Sequence, residues 1–163
     1  MTTTKVGKSR TNDTSLDEVL EQHRELVRMI DELRAFLDQP RPDVGEKGSH
    51  TWAAGLTERL TRLHDNVYRH FRHEERSGFL DELVVRRPTA TRAVEVLRQE
   101  HDRILGDFRA IVGAALVYSE GKMPASPRLR QWTLSVLDRL ANHELEETDL
   151  FQRILYEDLG AAD

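Results

Sequence analysis

The chain is expected to fold as an all-α, antiparallel up-down-up-down four-helix bundle with a metal site in its core. Three observations carry that expectation. Four long segments repeat apolar residues at three- and four-residue spacing, the stripe of an amphipathic helix. No segment sustains the period-two alternation of a half-buried strand. Modest connections punctuated by Pro and Gly separate the four segments, which suits consecutive helices lying side by side.

Residues 1–14 are polar and read as a disordered arm. The first helix is expected from Leu16, with Thr14 or Ser15 as its cap and Ser15 with Glu18 as a capping box. Its stripe is Leu16, Leu20, His23, Val27 (or Leu26), Ile30, Leu33 and Leu37, and Pro40 and Pro42 end it before a connection over residues 38–49. The second helix starts near His50 to Trp52 and carries Trp52, Leu56, Leu60, Leu63, Val67, His70 and Glu74. Gly78 marks a break, or else Phe79, Leu80 and Leu83 extend the element. Pro88 permits the start of a third helix, with Thr89 in its first turn. Its stripe is Val94, Leu97, His101, Ile104 or Leu105, Phe108, Ile111 or Val112, and Ala115. After a connection containing Gly121, Pro124, Ser126 and Pro127, the fourth helix presents Leu129, Trp132, Val136, Leu140, His143, Glu147, Leu150 and Ile154. Gly160 ends it, so the bundle occupies residues 15–157 and a tail 158–163.

Composition narrows the chemistry. Hydrophobic residues make up 38% and charged residues 33% of 163, enough for one core under a well-solvated surface. A net charge of −5 argues against a nucleic-acid partner, and Arg86 and Arg87 read as a short surface patch. With no cysteine, disulfides, thiolate catalysis, Fe–S clusters and Cys-rich zinc sites are excluded. No stretch approaches a membrane span and the first ten residues lack a secretory apolar run, so a cytoplasmic location is expected.

The histidines matter through their height in the bundle. At about 1.5 Å rise per residue, His23 and His101 lie roughly sixteen to eighteen residues before their connections, and His70 and His143 roughly sixteen to twenty after them. In an antiparallel bundle these four positions fall within about a turn of one level, each on its apolar stripe. Glu74 and Glu147 follow His70 and His143 at i+4, on the same face. Buried carboxylates need a compensating charge, and a metal supplies it. The economical arrangement puts His23 and His70 on one metal and His101 and His143 on the other, bridged by Glu74 and Glu147. Such ligands suit Fe, Mn, Co or Zn, and an open N/O site favours iron. The bland alternative is a buried His–Glu hydrogen-bond network.

The remaining polar residues read differently. His50 is expected to be exposed, His73 solvated, and His64 a partly buried neighbour below the site. Glu75, Glu144 and Glu146 read as surface charge. Glu100 and Asp102 read as solvated, with a role in orienting a ring open to either. Tyr68 should point away from the site, and Tyr118 and Tyr156 lie turns from it. Trp52, Trp132, Phe71, Phe108 and Phe151 read as packing, with Phe71 and Leu105 lining a small dry pocket.

The chain resembles the hemerythrin-like, HHE cation-binding domains. The resemblance rests on His23 in QHREL, on HFRHEE from His70, on His101 in QEHDRIL and on HELEE from His143, and spans roughly residues 15–157. It implies a non-haem diiron centre, two Fe ions joined by an oxo or hydroxo bridge. His23, His70, Glu74, His101, His143 and Glu147 inherit the ligand roles, with both glutamates bridging. Oxygen carriers of the family have a second histidine four residues after the first on the third helix, where this chain has Leu105, and an aspartate at i+5 on the fourth helix rather than Glu147 at i+4. The chain is thus similar to the broader bacterial class. The loss opens a coordination position and shifts the expectation from reversible oxygen transport to binding, sensing or reducing a small oxidant: oxygen, peroxide or nitric oxide. Peroxidase-like, catalase-like or nitric-oxide-handling turnover would need a reductant that the sequence does not name. The alternatives are a non-catalytic sensor and a structural bundle holding zinc or no metal. A monomer or weak homodimer is expected.

Overall fold

The computed structural model describes residues 10–40, 48–121 and 127–160, with side chains over 17–40, 48–121 and 128–155. Among them all regular structure is helical and no strand occurs. The elements are α1 (Arg10–Asp38), α2 (Ser49–Arg76), α3 (Phe79–Arg86), a 3-10 turn (Pro88–Ala90), α4 (Thr91–Ser119) and α5 (Pro127–Gly160). The long helices coincide with the four predicted stripes.

Several boundaries differ from expectation. α1 begins at Arg10, so Ser15 lies within the helix and is not its cap. Residues 10–15 contain neither Gly nor Pro, and nothing in them stops a helix propagating backwards from its anchored apolar stripe. Of the expected arm, residues 10–14 are therefore helical and residues 1–9 lie outside the described residues. α2 stops at Arg76 because Gly78 adopts φ 78°, a left-handed conformation that carries no Cβ penalty at glycine. Phe79, Leu80 and Leu83 then form the separate helix α3. Pro88 opens a 3-10 turn, and α4 begins at Thr91. α5 opens on Pro127, where a missing N–H costs nothing, and runs to Gly160. Pro42 and Pro124 lie outside the described residues.

α1 packs on α2 and α5, and α4 packs on α2 and α5, while α3 tucks against α2, α4 and α5. The buried line of α1 is Val19, His23, Leu26, Ile30, Leu33 and Leu37, a strict alternation of fours and threes. Leu26 therefore takes the core position and Val27, one residue and about 100° further round, is 47% exposed. Trp132 is likewise displaced from the core, 41% exposed. Thr133 holds the inward position instead, and its hydroxyl donates to the Leu129 carbonyl at 2.8 Å, satisfying the buried oxygen. Arg130 of α5 crosses to the end of α1, donating to the Leu37 carbonyl at 2.9 Å and to Asp38 at 2.8 Å. A cation at that terminus meets both the orphan carbonyls and the negative end of the helix dipole.

The apolar core falls into two clusters. One gathers Leu26, Leu33, Leu60, Phe71, Phe108, Leu140 and their neighbours. The other gathers Val19, Phe79, Leu80, Leu83, Val94, Phe151 and Ile154. Along α1 the position between Val19 and Leu26 is His23, and along α5 the positions between Leu140 and Phe151 include His143 and Glu147. A polar layer is thus enclosed by hydrocarbon on both sides.

Candidate metal centre

Seven side chains meet in that layer: His23 from α1, His70 and Glu74 from α2, His101 from α4, and His143, Glu144 and Glu147 from α5. None is more than 5% exposed. The six residues expected from the sequence are all brought together. Their donor atoms form two sets, each with atoms within 4.8 Å of one another: His23, His70, Glu74 and Glu147 in one, and His101, His143 and Glu147 in the other. Glu74 spans both, with Oε1 at 3.1 Å from His70 Nε2 and 3.4 Å from His23 Nε2, and Oε2 at 3.6 Å from His101 Nε2. Glu147 does the same, with Oε2 at 3.4 Å from His23 and 3.8 Å from His143, and Oε1 at 3.9 Å from His101.

Glu144 corrects the expectation of a surface charge. It is buried, with Oε2 at 3.5 Å from Nε2 of both His23 and His70. The signal was present in the sequence: Leu140, Glu144, Glu147 and Phe151 repeat at four, three and four, as central a line as the one through His143.

The layer has a deficit that protein groups do not fill. His70 Nε2, His101 Nε2, His143 Nε2, Glu74 Oε2 and both carboxylate oxygens of Glu144 and Glu147 are buried without a hydrogen-bond partner. Buried polar atoms are nearly always paired, so eight orphans converging on one layer require an explanation. Imidazole nitrogens and carboxylate oxygens together are the donor set of a borderline divalent or trivalent metal, and cations here would satisfy all eight at once. The residues present fit a metal pair, with His23, His70, Glu74, Glu144 and Glu147 able to hold one ion and His101, His143, Glu74 and Glu147 the other.

Without a cation, the layer distributes protons to relieve its own charge. Burial pulls the His23 imidazole down, but the adjacent carboxylates of Glu147, Glu74 and Glu144 outweigh it, and its pKa is raised to about 10. Burial and the neighbouring Glu147 charge push the Glu74 carboxyl well above the usual carboxylate range. Burial also acts to raise Glu144, yet the close approach of His70 and the charges of the surrounding histidines leave it below its ordinary value. Burial, with His143 and His70 beside it, drives His101 down to about 2 and keeps it neutral, the form that can donate a lone pair.

Behind the donors runs a closed ring of orienting contacts. Gln22 of α1 lies 3.0 Å from His70 Nδ1 on α2. Glu75 of α2 lies 3.1 Å from His101 Nδ1 on α4. Glu100 of α4 lies 3.0 Å from His143 Nδ1 on α5. Thr148 of α5 lies 2.9 Å from His23 Nδ1 on α1, closing the circuit. Each orienting residue is the immediate sequence neighbour of a layer residue and serves the ring on the next helix. Acceptors at Nδ1 place the proton there and leave the Nε2 lone pair facing inward. Glu75 and Glu100 are therefore not simply solvated charges, and Gln22 and Thr148 carry roles that the sequence reading did not assign.

The other residues stand apart. His50, Asp102 and Glu146 are exposed. His73 lies 3.7 Å from Glu18, and His64 beside Asp65, both outside the metal-competent sets. Tyr68 is 39% exposed and Tyr118 packs against the larger apolar cluster, whereas the Tyr156 side chain is outside the described residues. Phe71 lies flat on His101 with ring centroids 3.9 Å apart, and Leu105 is buried in the same cluster. No described helix is long and apolar enough to cross a membrane.

Among known proteins, no curated relative and no solved structure matches the chain. The family model described as hemerythrin HHE cation binding domain matches residues 14–158, a span that takes in every residue of the layer and of the ring behind it. The chain belongs to the hemerythrin HHE cation-binding family.

Proposed function

We propose that this protein is an antiparallel four-helix bundle holding a dinuclear non-haem iron centre, and that it binds, senses or reduces a small oxidant such as oxygen, peroxide or nitric oxide. The observation that carries the reading is the set of eight orphaned donor atoms, gathered around two metal-competent groups that share Glu147, with Glu74 of the first reaching to within 3.6 Å of His101 in the second. A pair of bridging carboxylates is what holds two ions close enough to act on one diatomic ligand. Iron is the metal because a cysteine-free His/carboxylate set with an open position suits a redox ion, and the centre's contribution when bound is electron exchange with that ligand.

The chain's own residues supply the rest. His23, His70, His101 and His143 point Nε2 inward, held by Thr148, Gln22, Glu75 and Glu100. The apolar clusters above and below exclude bulk water, which strengthens every charge interaction inside the layer. Glu74 is the group readiest to hold a proton, since its neighbours already favour its neutral form. Phe71 and Leu105 wall the His101 side without offering a donor, so a small ligand there meets hydrocarbon.

Metal analysis of the purified protein, combined with its near-ultraviolet and visible spectrum, tests the proposal. The expected result is two irons per chain with oxo-bridge absorption. Stoichiometric zinc, or no uptake after anaerobic iron loading, overturns it. Mixing the reduced protein with oxygen, peroxide and nitric oxide in turn then separates turnover from binding.

A further inference from the structure

Behind His70, on the side away from the layer, α1 and α2 part to leave a cavity of about 210 Å³ lined by Gln22, Glu25, Leu26, Asn66, Arg69 and His70. That is the room of about seven water molecules. Its donors are already aimed. Gln22 gives its carbonyl oxygen to His70 Nδ1 at 3.0 Å, so the NH2 end of that amide is the part left for the cavity. Asn66 donates one amide hydrogen to the Arg62 carbonyl at 3.0 Å and has a second to offer. Arg69 is braced on its own helix, donating from Nη2 to Asn66 Oδ1 at 2.8 Å and from Nε to the Asp65 carbonyl at 3.3 Å. Among the described residues Arg69 is in no ion pair, and its Nη1 edge is open. Glu25, the one carboxylate in the lining, is by contrast held by Arg28 Nε at 3.0 Å and is acted on by Arg62 as well. The cavity thus has three donor groups, one uncompensated positive charge and, in Leu26, an apolar wall.

We propose that this cavity is a binding site for a small organic monocarboxylate, and that its occupant strengthens metal binding in the His23/His70 half through Gln22. A guanidinium with an open edge and two amide N–H groups match the planar, singly charged head of a carboxylate. A phosphate brings about twice the charge that Arg69 neutralises, and a metal cation is repelled by Arg69. Leu26 takes the hydrocarbon part of the acid. The link to the layer is one residue long. A carboxylate accepting from the Gln22 NH2 polarises that amide, whose oxygen then accepts the His70 Nδ1 proton more strongly. An acceptor behind a metal-bound imidazole is worth about ten- to a hundredfold in metal affinity, and cooperative strengthening is about 10–30% per bond. The occupant should therefore tighten that metal by about twofold, and by about fourfold at most. The binding site stands on the cavity alone, whereas its link to the layer rests on the dinuclear reading.

The test uses the full chain, metal-free and loaded with diamagnetic zinc(II), with propionate as the probe. In the metal-free chain, a titration followed by nuclear magnetic resonance should give one saturable isotherm and shift the side-chain amide signals of Gln22 and Asn66. Arg69→Gln should weaken propionate by about tenfold or more. Arg69 is exposed, so circular dichroism should report an unchanged helix content. Arg24→Gln removes an exposed charge of α1 outside the cavity and should leave propionate affinity alone. Inorganic phosphate should bind more weakly than propionate. Competition with a chromophoric chelator should show one zinc site tightened by about twofold at saturating propionate, and zinc should tighten propionate by the same factor. Gln22→Leu should still bind propionate, with one donor fewer, and lose that coupling. Shifts that do not saturate, tighter binding of phosphate, or an affinity indifferent to Arg69 overturns the site. A zinc affinity that propionate leaves unchanged, or a propionate effect that survives Arg69→Gln and so reports direct ligation of the metal, overturns the link. A chain that takes up no zinc overturns the dinuclear reading and the link with it, while the metal-free titration still decides the site.

Discussion

Glu74→Gln should change the stability of this protein in opposite directions with and without metal. In the metal-free chain Glu74 is fully buried, one oxygen has no partner, and Glu147 and Glu144 stand close enough to push its carboxyl toward the neutral form. The glutamine is nearly the same shape. Its carbonyl keeps the contact with His23 Nε2, and its amide can donate to the unpaired oxygens of Glu147. Replacing a buried carboxyl that must take up a proton on folding by a hydrogen-bonded isostere that is neutral in both states should stabilise by ~2 kcal/mol. For a chain of this length that is about 4–8 °C in melting temperature. The pH dependence gives the sign independently. Because folding raises the Glu74 pKa above its ordinary value, the folded chain holds a proton that the unfolded chain has lost. Stability from this group is thus greatest below the unfolded carboxylate pKa and declines as pH rises above it, a slope that Glu74→Gln should remove. With metal bound, the same substitution takes away a bridging anion, and the melting temperature should fall. Thermal melts by circular dichroism at pH 7, in EDTA and after metal loading, measure both. A variant that is less stable than wild type in EDTA would show that Glu74 is already satisfied without a cation, and the argument from orphaned donors would fail.

Other expectations follow from the same layer. Chelation should lower the melting temperature of the loaded protein, because an ion present at a thousandfold over its dissociation constant contributes about 4 kcal/mol per site. A melt unchanged by EDTA, in protein verified to have lost its metal, would refute that. In the metal-free state, His23 should remain protonated at pH 8 and His101 neutral at pH 5, as nuclear magnetic resonance titration can read. The consequences have opposite signs. The raised His23 contributes stability that is present below pH 6.5 and lost as pH climbs through about 10, whereas the lowered His101 costs stability once pH falls below 6.5. Thr148→Val keeps the volume and deletes the contact to His23 Nδ1, costing about 1 kcal/mol. It should also weaken metal uptake in the His23/His70 half, measurable by competition with a chromophoric chelator. His70→Ala should abolish one of two metal equivalents, and unchanged metal content would rule out its assigned role.

The level of the four histidines was legible because helix rise is fixed and every histidine sat on an apolar stripe. What escaped the sequence lies within one residue of what was found. Glu144 stands on the stripe of Leu140, Glu147 and Phe151, where its charge disguised it, whereas Glu75 and Glu100 are charges on charged helices whose contacts depend on which neighbouring helix stands beside them, which no single stripe encodes. Leu26 and Val27 were equally apolar, and only the unbroken alternation from Val19 to Leu37 separates them. Trp132 looked like packing by composition, yet Thr133, with its hydroxyl satisfied on its own helix, fits the inward position. The early start of α1 was missed because polar residues that suit an N-cap also tolerate a helix interior when no breaker intervenes.

The ring of orienting contacts bears on how this protein could be divided or rebuilt. Cut between α2 and α4, the first fragment keeps Gln22 beside His70 but leaves His23 without Thr148. The second keeps Glu100 beside His143 but leaves His101 without Glu75. Each fragment would inherit one fixed imidazole and one free to turn. A chimaera that exchanges a single helix must likewise match two foreign neighbours, one whose ring it steadies and one that steadies its own. Substitutions around the centre should therefore be tolerated in matched pairs across adjacent helices more readily than one at a time.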